Sequence, residues 1–276
     1  MATDNLISQH YTHGKLLEAI QGALLQQGHS IDKLTSDDIA PVDEFHIGGR
    51  LATEHLFAQI NFTAEQHILD VGCGLGGTAR YIASQFNNRV TGIDLTAEYI
   101  ETGRCLSQWV GLDKQVSLCC GNALSMAFDD EAFDGASMFH VGMNIQDKVG
   151  LFREVYRVLK PISTFVIYDI MRMGSGELLY PVPWATDVDC SHVSTLEHYQ
   201  LALTQAGFEV HHVDNRGVFA LEFFSQMKAR NQTNGGLPPL GLHTLMGRNT
   251  VDKIGNMLNN IRAGYIAPVE LIAYKK

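Results

Sequence analysis

The sequence predicts an α/β fold in which helices cover both faces of a mostly parallel, seven-stranded sheet. Its 276 residues, 45 % of them apolar, suffice for one such domain with additions. Apolar runs of strand length alternate with helical patterns from residue 67 onward, as in parallel sheets. The first of these runs ends in a cluster of glycines, which is typical of a buried strand that leads into a tight turn.

The first 60 residues predict a helical N-terminal cap. Leu16, Ile20 and Leu24 recur at helical spacing together with Leu17 and Leu25, which indicates an amphipathic helix. Residues 31–41 are acidic and are expected to form a loop. A glycine turn at 45–50 then leads into a helix over 51–60.

The core is predicted from residues 61–215 and 267–276. We expect strands at 67–71, 89–94, 115–120, 133–139, 163–169, 208–214 and 269–274. We expect the intervening helices at 76–86, 96–110, 146–159 and 194–206. Pro161 should stop the third of these helices, because proline disfavours a helical residue before it.

Residues 216–266 break the alternation and predict a helical insertion before the last strand. Helical patterns cover 221–230 and 250–263, and the second places Ile254, Met257, Leu258 and Ile261 on one face. Connections of this length are generally functional. We therefore expect a lid that packs with residues 1–50 over a ligand.

Composition narrows the partners. The net charge of −10 and the absence of a basic run argue against nucleic acid or an anionic membrane. The polar start lacks a signal-peptide pattern, and no apolar stretch approaches the ~20 residues that span a bilayer. Five scattered cysteines without a C-x-x-C pair favour a reduced, cytoplasmic protein without zinc. The sequence leaves a homodimer open.

No metal is expected at the histidines either. Six histidines lie in the N-terminal quarter of the chain: His10, His13, His29, His46, His55 and His67. Their spacing matches no known metal-site pattern.

The glycine cluster indicates a nucleotide site. Gly72, Gly74 and Gly77 fit G-x-G-x-x-G, and Asp94 ends the next strand about 20 residues on, where a carboxylate can bind ribose hydroxyls. We expect free backbone N–H groups and a helix start to face the ligand. On this pattern alone a nicotinamide dinucleotide remains an alternative.

Two details favour a cationic ligand over a dinucleotide. Asp70 lies two residues before the first glycine, where it would repel a pyrophosphate but attract an ammonium or sulfonium group. Gly121-Asn122-Ala123 directly follows the third strand, where a small polar side chain could recognise an adenine amino group.

These residues belong to an ordered series of motifs. Asp70-Val-Gly-Cys-Gly-Leu-Gly-Gly77, Gly92-Ile-Asp94-Leu95, Gly121-Asn122-Ala123 and Phe133-Asp-Gly-Ala136 occur in turn. The series resembles that of class I S-adenosylmethionine-dependent methyltransferases, over residues 45–215 and the last strand. The resemblance implies a Rossmann-like fold, S-adenosylmethionine as cofactor and S-adenosylhomocysteine as product. Asn122 departs from the family's more frequent aspartate.

The resemblance also implies roles for individual residues. Gly72, Cys73 and Gly74 would contact the amino-acid and ribose portions of the cofactor, and Asp70 lies beside them. The remaining cofactor contacts would be Asp94 at the ribose, Leu95, Asn122 and Ala123 at the adenine, and His140 at the sulfonium.

For three of these residues, a purely structural role is an alternative to cofactor binding. Asp94 could cap the helix that starts at Thr96, and Asn122 could be a turn former. His140 could be a satisfied residue at a strand end. Its place at the carboxyl edge of a parallel sheet makes it the candidate catalytic residue.

The acceptor site is predicted from aromatic and polar residues near the same edge. The candidates are Tyr11, Phe45, His46, His140, Met143, Tyr168, Asp169 and Trp184. Aromatic rings could hold a cationic amine through cation–π contacts. Phe45 and Trp184 could instead cover the core, and Arg50 could pair with a ligand carboxylate or lie on the surface.

A second resemblance concerns the acceptor. Ala40-Pro-Val-Asp-Glu-Phe-His-Ile-Gly-Gly49 and Tyr180-Pro-Val-Pro-Trp184 are similar to segments of sarcosine and dimethylglycine N-methyltransferases, and more distantly of phosphoethanolamine and tocopherol methyltransferases. This favours a small-molecule acceptor, an amine such as a glycine derivative. Two alternatives remain: transfer to oxygen or carbon of a ring-containing metabolite, and a nucleotide-binding module without catalysis.

Overall fold

The computed structural model describes residues 10–12 and 14–276, without the side chain of Arg248. Its strands are β1 (His67–Val71), β2 (Arg89–Asp94), β3 (Val116–Cys120), β4 (Phe133–Phe139), β5 (Leu159–Arg172), β6 (Glu209–Asn215) and β7 (Ile266–Lys275). They form one sheet in the order β3-β2-β1-β4-β5-β7-β6. The first five strands are parallel, and β7 runs antiparallel to both β5 and β6. The predicted fold class is confirmed.

Helices lie before, between and after these strands. They are α1 (Leu16–Gln26), α2 (Ser36–Asp43), α3 (Arg50–Phe57), α4 (Gly77–Phe86), α5 (Ala97–Trp109), α6 (Lys148–Val158), α7 (Leu196–Ala206), α8 (Gly217–Thr233), α9 (His243–Met246) and α10 (Thr250–Arg262). Within the described ranges, none of these helices combines the length and apolarity that crossing a membrane requires.

The predicted loop over 31–41 is wrong, because this segment contains a turn of 3₁₀-helix and most of α2. A capping box starts α2: the Thr35 hydroxyl accepts from the backbone N–H of Asp38, and Asp38 accepts from the backbone N–H of Thr35. Two backbone donors at the helix start are thereby satisfied. Two of the acidic residues that suggested a loop, Asp37 and Asp38, lie in the first turn of this helix.

Pro161 does not end a helix. The helix α6 already ends at Val158, and β5 begins at Leu159 and runs through the proline to Arg172, well beyond the predicted 163–169. The pairing of β5 with β4 shifts register after Leu159 and resumes at Thr164. Proline, which has no N–H to donate, is tolerated in such an irregularity.

The predicted helical insertion does separate the last two strands, as α8 to α10 between β6 and β7. Leu240 and Leu245 of this insertion share an apolar cluster with Leu16, Ile20 and Leu24 of α1. The N-terminal segment and the insertion therefore meet above the edge of the sheet. Whether they act as a lid stays a prediction.

Candidate functional site

A cavity of about 360 Å³ opens at the carboxyl edge of the parallel strands. The predicted cofactor residues all line it: Asp70, Gly72, Cys73, Gly74, Asp94, Leu95, Asn122, Ala123 and His140. They come together because β1, β2, β3 and β4 are adjacent in the sheet and end at the same edge.

Gly72 and Gly74, which follow β1, have different structural roles. A Cβ at Gly72, whose φ is +67°, would lie 2.2 Å from the Val141 side chain, so close packing excludes any larger residue. At Gly74, whose φ is +53°, the nearest protein atom would be 4.0 Å away, on Tyr99. The loop therefore packs tightly at Gly72 and exposes its backbone to the cavity at Gly74.

The first three N–H groups of the loop are not free, although the sequence suggested that they would be. The N–H groups of Gly72 and Cys73 donate to the Ile93 carbonyl, at 2.8 and 3.0 Å. That of Gly74 donates to Asp94 Oδ2, at 2.9 Å. These donors are already used within the protein, so they cannot serve a pyrophosphate in this conformation.

Asp94 combines the two roles that the sequence left open. One oxygen accepts from Gly74, and the other accepts from the backbone N–H of Thr96 at 2.8 Å, ahead of α5. The carboxylate also lines the cavity. Because a carboxylate oxygen can accept more than one hydrogen bond, capacity for a ligand hydroxyl remains. Burial raises its pKa, and hydrogen bonds to Thr96 and Gly74 oppose that shift.

Asp70 is a buried carboxyl with one unsatisfied oxygen. Its Oδ1 accepts from the Ser137 hydroxyl at 2.8 Å, whereas Oδ2 has no partner. Burial raises its pKa to about 7, although the Ser137 bond opposes the shift. A buried acceptor without a donor is rare in native proteins, and such an atom usually binds a ligand or an ordered water. A cation would meet that need.

Asn122 is a turn former, as the structural alternative predicted. Its Oδ1 accepts from the backbone N–H of Leu124 at 2.8 Å. The turn nevertheless lines the cavity, beside Ala123 and Leu95.

His140 follows the last residue of β4 and has a left-handed backbone, with φ at +54°. Its Nε2 is buried and has no partner among the described residues. The ring lies beside those of Tyr168 and His46, at centroid distances of 5.1 and 6.0 Å. Burial, and to a smaller degree His46, lowers its pKa well below the ordinary value, so the imidazole is neutral at neutral pH.

Five of the predicted acceptor-site residues besides His140 line the cavity: Tyr11, Phe45, His46, Met143 and Trp184. His46 is fixed from behind, with Nε2 near the Gly49 carbonyl at 3.1 Å and the Thr53 hydroxyl at 3.0 Å. Trp184 is only 3 % exposed and belongs to an apolar cluster, so it both covers the core and faces the cavity.

Tyr168 and Asp169 do not line the cavity, which corrects the prediction for both. They were expected at the end of a strand, but β5 continues three residues further to Arg172. Tyr168 packs behind His46 and His140. Asp169, on the opposite face of the strand, accepts from the Tyr199 hydroxyl at 2.9 Å.

Arg50 also lies outside the cavity wall. It pairs with Glu44 and, at 2.8 Å, with Asp37, so its partners belong to the protein and not to a ligand.

The insertion supplies wall residues that sequence reasoning did not name. They are Phe224, Leu242, Leu245, Met246, Ile254 and Met257, all apolar. The sequence did place Ile254 and Met257 on one helical face of the expected lid, but it did not assign individual side chains to the wall of the site. Asp43, from the end of α2, was missed as well.

One cluster outside the cavity has the composition of a metal site. His55, Asp214 and Glu270 bring ligand atoms within 4.8 Å of one another. Arg216 already pairs with Asp214 at 3.1 Å and with Glu270 at 3.4 Å. The cluster is therefore an ion-pair network with its own cation.

Comparison with known proteins places the same residues in context. Residues 69–167 match the family model described as a methyltransferase domain. The chain is 39 % identical over 120 residues to 24-methylenesterol C-methyltransferase 2 of Arabidopsis thaliana, covering 44 % of this chain and 33 % of that enzyme. It spans about half or less of the length of the curated relatives it matches.

Solved structures share the fold over more of the chain. Geranyl diphosphate C-methyltransferase of Streptomyces coelicolor A3(2), solved with S-adenosylhomocysteine, superposes with a TM-score of 0.72 at 17 % identity, covering 100 % of this chain and 98 % of that one. A sarcosine dimethylglycine methyltransferase-like protein of Galdieria sulphuraria superposes with a TM-score of 0.68 at 18 % identity, covering 83 % and 85 %. At these identities the likeness concerns the fold.

Proposed function

Because the chain carries a class I S-adenosylmethionine-dependent methyltransferase domain, we propose that it transfers a methyl group from S-adenosylmethionine to a carbon atom of an apolar small molecule. The observation that carries the acceptor class is the composition of the wall that the insertion builds. Its six described contributions are apolar, with no acidic or basic side chain among them.

The glycine-loop end suits a cationic nucleoside. The N–H groups of Gly72, Cys73 and Gly74 are used inside the protein, while the carboxyls of Asp70 and Asp94 face the cavity. Negative charge at this end disfavours a pyrophosphate and favours the ammonium and sulfonium groups of S-adenosylmethionine. Asp94 and the loop before α5 would hold the ribose.

The opposite end suits an apolar acceptor. Met143, Trp184 and Phe224 join the side chains of α9 and α10 there. Burying an apolar ligand against such a wall is favourable by roughly 25 cal/mol per Å² of surface removed from water. A glycine derivative would have to leave its charged groups unpaired on this wall, which is costly.

The curated relatives support carbon as the acceptor atom better than the amine that the sequence favours. Sterol C-methyltransferases recur among them. This is the ring-containing alternative of the sequence reading, and it agrees with the apolar wall.

His140 would serve as the base in this reaction. When bound, S-adenosylmethionine supplies an electrophilic methyl group on a positively charged sulfur. An alkene carbon would form the new bond to the methyl group with its π electrons while the methyl–sulfur bond broke and its electron pair stayed on sulfur, giving S-adenosylhomocysteine. The carbon next to it would become cationic, and loss of a neighbouring proton would restore neutrality. Neutral His140, with its unpartnered Nε2, can accept that proton. Tyr168 and His46 hold its ring in place.

A transfer assay with matched acceptors tests the proposal. S-adenosylmethionine with a labelled methyl group would be incubated with a sterol, a branched polyprenyl alkene, sarcosine and dimethylglycine, and the products analysed by mass spectrometry. We expect methylation of an alkene carbon and none of the amines. Turnover confined to the amines would contradict the acceptor class.

Calorimetry separates catalysis from mere nucleotide binding. Titration with S-adenosylhomocysteine and with NAD should show binding of the first only. Tight NAD binding without a response to S-adenosylhomocysteine would overturn the proposed function altogether.

A further inference from the structure

Besides Asp147, whose side chain caps the start of α6, three carboxyl side chains line the cavity, and the third of them has no assigned role. Asp70 and Asp94 belong to the sheet, whereas Asp43 is the last residue of α2 in the N-terminal segment. Asp43 lies against the start of α4, where a Cβ on Gly77 would be 2.3 Å from the Asp43 carbonyl oxygen. The turn after α2 is therefore pressed directly onto the glycine loop.

The Asp43 carboxyl is buried and only half satisfied. Its side chain is 1 % exposed. Oδ2 accepts from Arg80 twice, from Nη2 at 2.6 Å and from Nε at 3.2 Å. Oδ1 has no hydrogen-bond partner in the described structure.

Arg80 cannot supply the missing donor without giving up another bond. A guanidinium has five N–H groups. Two donate to Asp43 Oδ2, and the other three donate to the Leu75 carbonyl, the Gly103 carbonyl and the Ser107 hydroxyl. Arg80 therefore leaves Asp43 Oδ1 open to a donor from the cavity that Asp43 lines.

The hydrogen-bond donors of the cofactor indicate which of its groups would bind Asp43 Oδ1. A sulfonium has no hydrogen to donate, and ribose hydroxyls are expected at Asp94, at the end of β2. An ammonium offers three N–H donors and a positive charge, which makes its hydrogen bond to a carboxylate stronger than a neutral one.

Building on the proposed function, we propose that Asp43 is a cofactor-binding residue whose Oδ1 accepts a hydrogen bond from the α-ammonium of the amino-acid portion of S-adenosylmethionine. The N-terminal segment thereby completes the cofactor site. Burial raises the pKa of Asp43 to about 6, against the opposing effect of Arg80, so the group is largely ionised at neutral pH.

Three ligands isolate the contact. S-adenosylhomocysteine carries the ammonium, its deamino analogue lacks only that group, and 5′-methylthioadenosine lacks the whole amino-acid portion. Each would be titrated calorimetrically into the wild type and Asp43→Asn. We expect Asp43→Asn to weaken S-adenosylhomocysteine about tenfold or more, and to leave the other two within about twofold.

Asp37→Asn is the matched control, since Asp37 lies on the same helix with its side chain 86 % exposed. It should leave all three affinities unchanged. Thermal unfolding of each variant reports whether the Arg80 pair still supports the fold.

The outcomes separate this inference from the proposed function. If Asp43→Asn weakens all three ligands equally, Asp43 only supports the loop through Arg80 and the inference is wrong. If Asp43→Asn does not fold, the wild type alone decides: equal affinity for S-adenosylhomocysteine and its deamino analogue would overturn the inference. A wild type that binds none of the three would overturn the proposed function as well.

Discussion

The two ends of the cavity are built in opposite ways. At the glycine-loop end, carboxyl groups and backbone hydrogen bonds set the shape, and short motifs at the ends of adjacent strands supply most of the wall. At the insertion end, apolar side chains from α8, α9 and α10 meet Trp184 and Met143 from distant parts of the chain. The first end is specified by local motifs and the second by tertiary packing. The cofactor class can therefore be predicted from sequence far more readily than the acceptor.

His140 lines the cavity directly after β4, and as the proposed base its substitution should have the largest effect. We expect His140→Asn to reduce kcat by about 10²- to 10⁴-fold, the usual contribution of a positioned base. Asparagine tolerates the left-handed backbone of this position, so the fold should survive. Affinity for S-adenosylhomocysteine, measured by calorimetry, should change less than about twofold. A parallel loss of turnover and affinity would mean that His140 only positions the cofactor.

Asp94 tests the glycine-loop end alone. Asp94→Ala removes the acceptor for Gly74 and Thr96 together with the expected ribose contact. We predict a loss of ~1–3 kcal/mol in binding of S-adenosylhomocysteine, as for charge-assisted hydrogen bonds. The exposed Asp113 provides a control, since Asp113→Ala should change nothing. Unchanged affinity in Asp94→Ala would remove this residue from the site.

The correctly predicted residues show why the glycine-loop end could be predicted from the sequence. The strands at 67–71, 89–94 and 133–139 lie where their apolar runs placed them. In a parallel sheet, the position of a strand end fixes the position of the following side chain. Asp94, Asn122 and His140 therefore reached one cavity by topology alone.

The wrong predictions also trace to where strands and helices begin and end. Tyr168 and Asp169 were placed at a strand end that actually lies at Arg172, because pairing with β7 over ten residues extends β5. The helix α2 was missed because its capping box reads as an acidic loop. Asp43 was missed in consequence. The sequence predicts that the insertion covers a ligand, but not which of its apolar side chains form the wall, since no local pattern states which element a helical face will meet.

Ile254 tests the insertion end alone. Ile254→Gln places an amide in the apolar wall, and burying it without a partner is costly. We expect kcat/KM for an apolar acceptor to fall about tenfold, with cofactor affinity unchanged. Val251→Gln is the control on the same helix, where the side chain is 77 % exposed. A similar fall in both variants would show that the effect comes from α10 as a whole and not from the wall.

The pH dependence should be the smallest effect and should belong to the glycine-loop end. Burial raises the pKa of Asp70 to about 7, with Ser137 and Arg80 opposing and Asp94 reinforcing the shift, so the free carboxyl is largely protonated below that pH. The ammonium of S-adenosylhomocysteine favours the ionised form of Asp70 and lowers this pKa on binding. Affinity for S-adenosylhomocysteine should therefore fall about three- to tenfold from pH 8 to pH 6, and binding near pH 7 should release a proton.

Calorimetry in buffers of different ionisation enthalpy measures that proton directly. Asp70→Asn should abolish the release near pH 7, leaving only the weaker dependence around pH 6 that Asp43 contributes. Proton uptake on binding would show that the carboxylate of the ligand, and not its ammonium, lies beside these carboxyls, because a negative charge stabilises their protonated forms. Proton uptake would therefore contradict the proposed difference between the two ends of the cavity, since the glycine-loop end would then not select a positively charged group.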